Sequence, residues 1–177
     1  SLTSITIPSD GNLKKIGENA FVYCENLESI TCPISLTKIG EHAFQECSSL
    51  TSITFPSDCN LEQIGKSAFA NCINLTSIIL PENLTAIDSH AFQNCKNLNS
   101  INIGDLKKLN IIGENTFENC KSLTEIALPD SLTYIGSEAF TTCSKLENIT
   151  YNMENKSRLN IDAQPRTSVR FWERRAR

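Results

Sequence analysis

Cysteine is the residue type with the most evident chemical potential in this chain, which holds eight cysteines and two histidines among 177 residues. Thiols can pair as disulfides, bind zinc or act as nucleophiles. The C-x-x-C spacing of many zinc sites does not occur in the sequence. Because free cysteine is among the most buried residue types, periodic cysteines favour a packing role. Six of them recur at steps of 23 to 25 residues: Cys24, Cys47, Cys72, Cys95, Cys120 and Cys143.

The other two cysteines lie outside this row. Cys32 takes a position that apolar residues hold in the other repeats, so we expect it to be buried. Cys59 lies in a longer connection, which predicts an exposed thiol. Pairing of cysteines in adjacent repeats is the alternative to a reduced core, since stacked chains can approach disulfide distance.

The histidines offer no metal site. His42 and His90 occupy the same position two repeats apart, which places them on the order of 10 Å from each other. We expect both to be solvated side chains on the surface. The sequence contains no nucleophile–base pair, glycine-rich phosphate loop or paired carboxylates, so it predicts no enzyme and no cofactor.

The elements that carry these residues form a repeat, seen clearly from Leu123 to Cys143. Its consensus is L-x-x-I-x-[apolar]-P, then L-x-x-I-G, then x-x-A-F-x-x-C, and it occurs six times, with a seventh opening strand. Alternating apolar residues predict a first strand that proline ends. The A-F-x-x-C spacing predicts one helical turn. The intervening corner, predicted to be a helix N-cap or a residue of positive φ, is Gly17, Gly40, Gly65, Asp88, Gly113 and Gly136.

This periodicity predicts a solenoid of short parallel strands with one helical turn in each repeat of 23–25 residues. One copy cannot bury enough apolar surface to fold alone, so neighbouring copies must stack. Residues 1–152 are predicted to form the solenoid, and residues 153–177 a basic tail or cap outside the repeat. The predicted core contains the repeated cysteines together with Phe21, Phe44, Phe69, Phe92, Phe117 and Phe140.

The pattern L-x-x-I-x-I-P-x-x-L-x-x-I-G-x-x-A-F-x-x-C resembles the BspA-type (Treponema-type) leucine-rich repeats of bacterial and protozoan surface proteins. The resemblance extends over residues 1 to about 152. It implies a curved leucine-rich repeat solenoid with a role in adhesion or host interaction, on a cell surface or in secreted form. A cytoplasmic interaction scaffold and a structural spacer are the alternatives.

Charge separates the body of the chain from its tail. Residues 1–152 contain 9 basic and 17 acidic residues, for a net charge of −8, whereas residues 153–177 contain 7 basic and 3 acidic residues, for a net charge of +4. An acidic body argues against nucleic-acid binding, which needs a basic surface. No run of 18 apolar residues predicts a membrane span. The tail, with five arginines from Arg166 to Arg177, is interpreted as frayed, as a cap, or as a membrane or partner contact.

Stacking turns each outward repeat position into a row that a protein or glycan partner can contact. The first-strand rows are small and polar, except at positions such as Ile79 and Ala127. The second-strand row changes from basic to apolar, and its last two members, Ile111 and Tyr134, are predicted to be neighbours. We expect partner binding at these four residues, because clustered exposed apolar side chains mark interaction sites. A solvated face without a partner is the alternative.

Overall fold

The computed structural model describes residues 2–152, residues 157–162 and the backbone of residues 170–174. The chain winds as a parallel β-solenoid of about seven coils, each with two short strands, and we number the coils from the N-terminus. The first strands are β1 (Ser4–Thr6), β3 (Ser29–Thr31), β5 (Ser52–Thr54), β7 (Ser77–Ile78), β9 (Ser100–Ile101), β11 (Glu125–Ala127) and β13 (Asn148–Asn152). The second strands are β2 (Lys15–Ile16), β4 (Lys38–Ile39), β6 (Gln63–Ile64), β8 (Ala86–Ile87), β10 (Ile111–Ile112), β12 (Tyr134–Ile135) and β14 (Asn160–Ile161).

The strands pair between successive coils, which confirms the predicted parallel solenoid. All seven second strands form one sheet in coil order, from β2 to β14. Equivalent repeat positions are aligned in register, as Ser4 is with Ser29 and Ile5 with Ile30. Within the residues that the structure describes, the first strands are hydrogen-bonded only in three groups, which are β1–β3–β5, β7–β9 and β11–β13 with a later strand, β15 (Arg170–Arg174). The first-strand side is therefore interrupted twice.

The A-F-x-x-C segment does not form the predicted helical turn, and is instead a run of β-turns. Two residues in each copy have left-handed backbone angles, as His42 (φ 54°) and Glu46 (φ 61°) do in coil 2. Alternate amides therefore point to the next coil: the N–H groups of His42, Phe44 and Glu46 donate to Lys66, Ala68 and Ala70. Hydrogen bonds between coils thus replace the bonds that an α-helix would make within itself.

The corner glycines have a different role from the predicted one. None of the six corner residues has a positive φ. At Gly40, Gly65, Gly113 and Gly136 the coils approach closely: a Cβ added to Gly40 would lie 2.7 Å from the carbonyl carbon of Gly17. Gly17, in coil 1, would meet nothing within 4 Å. Glycine at the corner is thus associated with close contact between one coil and the preceding one.

The core is a column that runs through all the coils. The six repeated phenylalanine rings lie in one stack, with neighbouring centroids 5.2–5.6 Å apart and ring planes within 13° of parallel. Near-parallel planes at this separation are offset-stacked. Rings from Phe44 to Phe140 are fully buried, whereas Phe21 is partly exposed at the end of the stack. Buried leucines and isoleucines of both strands complete the column.

The solenoid architecture continues past residue 152, in the second strand of coil 7 and in one further strand. Asn160 and Ile161 pair with Tyr134 and Ile135, so a second strand lies within the segment that the sequence predicts to be a basic tail or cap. Strand β15 pairs in parallel with β13. The rest of the basic tail, including Arg166 and Arg177, lies outside the described residues.

Candidate functional site

The first strands present two outward rows that are not used to build the core. Parallel pairing in register places equivalent side chains beside each other, as Ser29 is beside Ser52 and Thr31 beside Thr54. The first row is Ser4, Ser29, Ser52, Ser77, Ser100, Glu125 and Asn148, and the second is Thr6, Thr31, Thr54, Ile79, Asn102, Ala127 and Thr150. The face is therefore polar and repetitive, with hydroxyl groups over its first three coils.

This face is interrupted in coil 5, where the chain leaves the strand path. Gly104 stands where coils 1 to 4 have proline, and Ile103–Asp105 forms a 3₁₀ turn. The Asn102 side chain takes the place of a strand peptide: its Oδ1 accepts the Leu80 N–H at 2.7 Å, and its Nδ2 donates to the Leu80 carbonyl at 3.0 Å. The Asn102 side chain thus satisfies the backbone N–H and C=O groups of Leu80 in coil 4, while the main chain of coil 5 turns away.

A groove of about 710 Å³ opens on the face between coil 5 and coil 6. Strands β9 and β11, which border it, are not hydrogen-bonded neighbours. Gly104 closes one end, since a Cβ there would lie 2.7 Å from the Cβ of Ala127. The groove is lined by Ser100, Ile101, Asn102, Asp105, Glu125 and Asn148, among others.

A second cavity, of about 380 Å³, lies on the other side of Asn102 and Asp105. It is bordered by Phe55, Pro56, Leu80, Pro81 and Leu106. Ile79 also lines this cavity and is 75% exposed. This is the largest exposed fraction of any large hydrophobic side chain in the described part of the chain. The 3₁₀ turn therefore separates a polar groove from a more apolar cavity.

The electrostatic character of this region is acidic. Asp105 and Glu125 line the groove, and Glu82 and Asp130 line an adjoining cavity of about 510 Å³ beside the same turn. Lys107 also faces that cavity. The region therefore attracts positively charged groups more than negatively charged ones.

The four residues predicted to bind a partner do not form one site. Ile111 and Tyr134 are register neighbours in the second-strand sheet, whereas Ile79 and Ala127 belong to the first-strand side. Ile111 is 41% exposed. The Tyr134 hydroxyl donates to Asp162 at 2.7 Å, and this hydrogen bond raises the pKa of the tyrosine. Ile111 and Tyr134 thus form a separate patch, which remains a predicted partner site.

The sequence prediction did not include the groove. Its signals were present in the Ile-Asn-Ile-Gly segment at Ile101–Gly104, where Asn102 and Gly104 replace the threonine and the proline of Ile-Thr-Ile-Pro in coil 1. A missing proline indicates that a strand need not stop there. It does not indicate that the asparagine side chain will replace the backbone.

The repeated cysteines serve the core through their thiols. The Sγ atom of Cys95 lies 3.1 Å from the carbonyl oxygen of Phe69 in the preceding coil. Four other thiols make the same contact with the phenylalanine of the preceding coil at 3.0–3.2 Å, and they belong to Cys47, Cys72, Cys120 and Cys143. All eight cysteines are free thiols. These five thiols thus donate hydrogen bonds from one coil to the carbonyl groups of the preceding coil.

The prediction of an exposed thiol at Cys59 is wrong, because this residue is fully buried. Its Sγ lies 3.6 Å from the Pro33 carbonyl oxygen and 3.7 Å from that of Leu36. The longer connection folds inward, and Asn83 of the next coil donates to the Cys59 carbonyl at 3.2 Å. Burial also raises the pKa of Cys59.

We expect the stability of the protein to fall as the pH rises from about 9 to about 12. Burial raises the pKa of Cys47 and Cys143 from 9.0 to about 12, and that of Cys95 well above 9.0. The unfolded chain loses these protons first, so each thiol lowers the free energy of unfolding by up to about 1.4 kcal/mol per pH unit in that window. Urea unfolding at pH 8, 9.5 and 10.5 measures the slope. A Cys95→Ala variant, which has one thiol fewer, should show a shallower slope.

The histidines and acidic residues do not assemble a metal site among the described residues. His42 is half-buried, and its Nδ1 lies 2.6 Å from Oε1 of Gln45. His90 is also half-buried and has a left-handed backbone, at φ 59°. Both are therefore less solvated than predicted. The described part of the chain contains no helix with the length and apolar character that a membrane crossing requires.

Comparison with known proteins identifies a repeat family and several similar folds. The family described as "BspA type Leucine rich repeat region (6 copies)" matches residues 1–108 and 106–161. A leucine-rich repeat protein of T. pallidum is similar at 25% identity and a TM-score of 0.58, with 96% of this chain and 73% of that chain covered. No curated protein sequence matches the chain.

Two further solved structures are similar over a smaller share of their own length. A leucine-rich cell surface protein of Faecalibacterium prausnitzii A2-165 is 28% identical with a TM-score of 0.57, and the match covers 84% of this chain and 47% of that one. The pneumococcal vaccine antigen PcpA is 26% identical with a TM-score of 0.76, and the match covers 88% of this chain and 42% of that one. The chain thus spans less than half of these two proteins.

Proposed function

Because the chain belongs to the BspA-type leucine-rich repeat family, we propose that it is a non-enzymatic module that binds a protein or glycan partner in cell-surface adhesion or host interaction. The observation that carries this proposal is the uninterrupted display of equivalent outward side chains in register, from Ser4 and Ser29 to Ser52. Such a face offers repeated contacts to an extended partner.

The similar proteins support a location on the surface or in the secreted fraction. One is a cell surface protein and another is a vaccine antigen. Leucine-rich repeat families are generally non-enzymatic, and burial raises the pKa of thiols such as Cys95, so these thiols are not poised as nucleophiles. A cytoplasmic interaction scaffold is the second candidate, favoured by the eight free thiols.

Protease shaving of intact source cells tests the location. We expect peptides from residues 1–152 to be released or lost while cytosolic control proteins stay intact. Full protection of these peptides in cells whose known surface proteins are cleaved would contradict the surface proposal and favour the cytoplasmic scaffold. Screening the purified protein against glycan arrays and surface-protein extracts tests binding, and no binding partner in either would favour a structural spacer.

A double variant tests the patch formed by Ile111 and Tyr134. We expect Ile111→Glu with Tyr134→Ala to weaken binding to cells that the native protein labels by at least tenfold, because it removes two neighbouring apolar anchors. Flow cytometry with labelled protein measures the binding, and circular dichroism verifies the fold. The matched control is Lys38→Ala with Gln63→Ala, a register pair of the same row that also changes the net charge by −1. Equal binding by a folded patch variant would contradict this site.

A further inference from the structure

We propose that the groove between β9 and β11 binds an extended peptide segment of a partner protein, in which a basic and an apolar side chain lie two residues apart on the same face of the strand. This inference rests on the proposed function and specifies the chemistry of the partner. It arises from three features that meet at the 3₁₀ turn Ile103–Asp105: an open pair of strand edges, an apolar cavity and an acidic border.

The strand edges provide the backbone contacts. Strand β9 pairs with β7 through one edge, and β11 pairs with β13 through one edge. Their other edges face each other across the groove without forming a ladder. An unpaired strand edge is a template for another strand. An extended peptide that lies in the groove therefore adds to one of these edges by β-augmentation.

The Asn102 side chain keeps this arrangement open. Its carboxamide makes both hydrogen bonds with Leu80 that a continuing strand would have made, so the edge of coil 4 needs nothing more from coil 5. The main chain is then free to turn at Gly104 toward Ala127. The opening is thus built by specific residues and is not merely a distorted repeat.

The apolar cavity determines one side-chain preference. Ile79 is 75% exposed at its border, with Pro56 and Leu106 beside it. Asn102 and Asp105 line both this cavity and the groove, so a chain lying in the groove passes next to the cavity. An apolar side chain of the peptide covers Ile79, which removes apolar surface from water on both molecules.

The acidic border determines the other preference. Asp105 and Glu125 are both exposed and both line the groove. No lysine, arginine or histidine occurs among the residues that line the groove. A lysine or arginine of the peptide is therefore attracted here, and an anionic segment is repelled.

The probe is a fluorescent nonapeptide in which lysine and valine alternate at every second residue with serine between them, so that both types lie on one face of a strand. Fluorescence anisotropy measures its affinity for the full chain. We expect it to bind at least tenfold more tightly than the same peptide with glutamate in place of lysine. Two versions that are N-methylated on alternate residues, one in each register, remove the backbone donors on one edge or the other. At least one should bind tenfold more weakly if the peptide pairs as a strand.

Charge reversal localises the binding. Asp105→Lys with Glu125→Lys should lower the affinity for the lysine–valine peptide by at least tenfold. The matched control is Glu25→Lys with Glu62→Lys, which changes the net charge equally at exposed residues outside the groove, and should change affinity less than twofold. Equal losses in both variants, or no loss in either, would overturn the proposed site, and undiminished binding of both N-methylated peptides would overturn strand addition.

These outcomes are separable from the proposed function. If the protein binds no peptide but still labels cells or binds a neutral oligosaccharide on an array, the peptide inference is wrong and the adhesive function stands. If Asp105→Lys with Glu125→Lys abolishes oligosaccharide binding, the groove is a glycan site and a peptide is the wrong ligand. If neither peptides, glycans nor cells bind, both the inference and the proposed function fail.

Discussion

Replacing Phe92 by alanine is expected to lower the free energy of unfolding by about 3–5 kcal/mol. The ring is fully buried in the middle of the stack, 5.3 Å from the Phe69 centroid and 5.5 Å from that of Phe117. Its removal leaves a cavity between two rings that are held in place by their own coils, so the site collapses poorly. Urea unfolding followed by circular dichroism measures the change.

Phe21→Ala is the control for this substitution, because Phe21 lies at the end of the stack, is partly exposed and contacts only one other ring of the stack. We expect the loss there to be less than half as large. Phe92→Leu, which retains most of the apolar volume, should fall between the two alanine variants. Equal losses for Phe21→Ala and Phe92→Ala would contradict the idea that stacking through consecutive coils stabilises the column.

The same substitution at two equivalent glycines should change stability in opposite directions. A Cβ added to Gly113 would lie 2.7 Å from the carbonyl carbon of Asp88 and closer still to the amide nitrogen of Ser89. Gly113→Ala forces two coils apart, and we expect it to cost about 1–3 kcal/mol or more. Gly17→Ala meets nothing within 4 Å and does not need a positive φ. It should stabilise by about 0.4–1 kcal/mol by restricting the unfolded chain.

Differential scanning calorimetry of both variants measures this contrast, with the native chain as reference. The corner position of coil 4 is Asp88, which already carries a side chain there. Its Oδ1 accepts the Ser89 N–H at 2.8 Å. If Gly113→Ala proved as stable as Gly17→Ala, the coils could separate at little cost. The corner glycines would then need another explanation.

The fold was predictable because its main determinants are local and repeated. The spacing of Ile5, Ile30 and Ile53 indicates the strand, and the steps between copies indicate stacking in register. What the repeat hides is how the backbones of adjacent coils meet. His42 and Glu46 adopt left-handed angles because their amides bond to the next coil, and no periodicity within one copy shows this.

The candidate site was less predictable for the same reason. The adjacency of Ile111 and Tyr134 follows directly from the period. The groove depends on Asn102 reaching a neighbouring coil, a contact 22 residues away in sequence. The prediction that Cys59 is exposed failed for a similar reason. Whether its connection folds outward or inward depends on carbonyl groups of Pro33 and Leu36 in another coil.

The second-strand side and the first-strand side of the solenoid differ in continuity, and this difference has a mechanical consequence. The second-strand side is one unbroken ladder, whereas the first-strand side is divided between β5 and β7 and again between β9 and β11. Bending that widens the divided side breaks no ladder hydrogen bonds at these two points, while the opposite side resists extension. The solenoid should therefore bend more easily in the direction that opens these two divisions than in the opposite direction. One of the two divisions, that between β9 and β11, lies beside Asn102 and Gly104, where the proposed peptide groove opens.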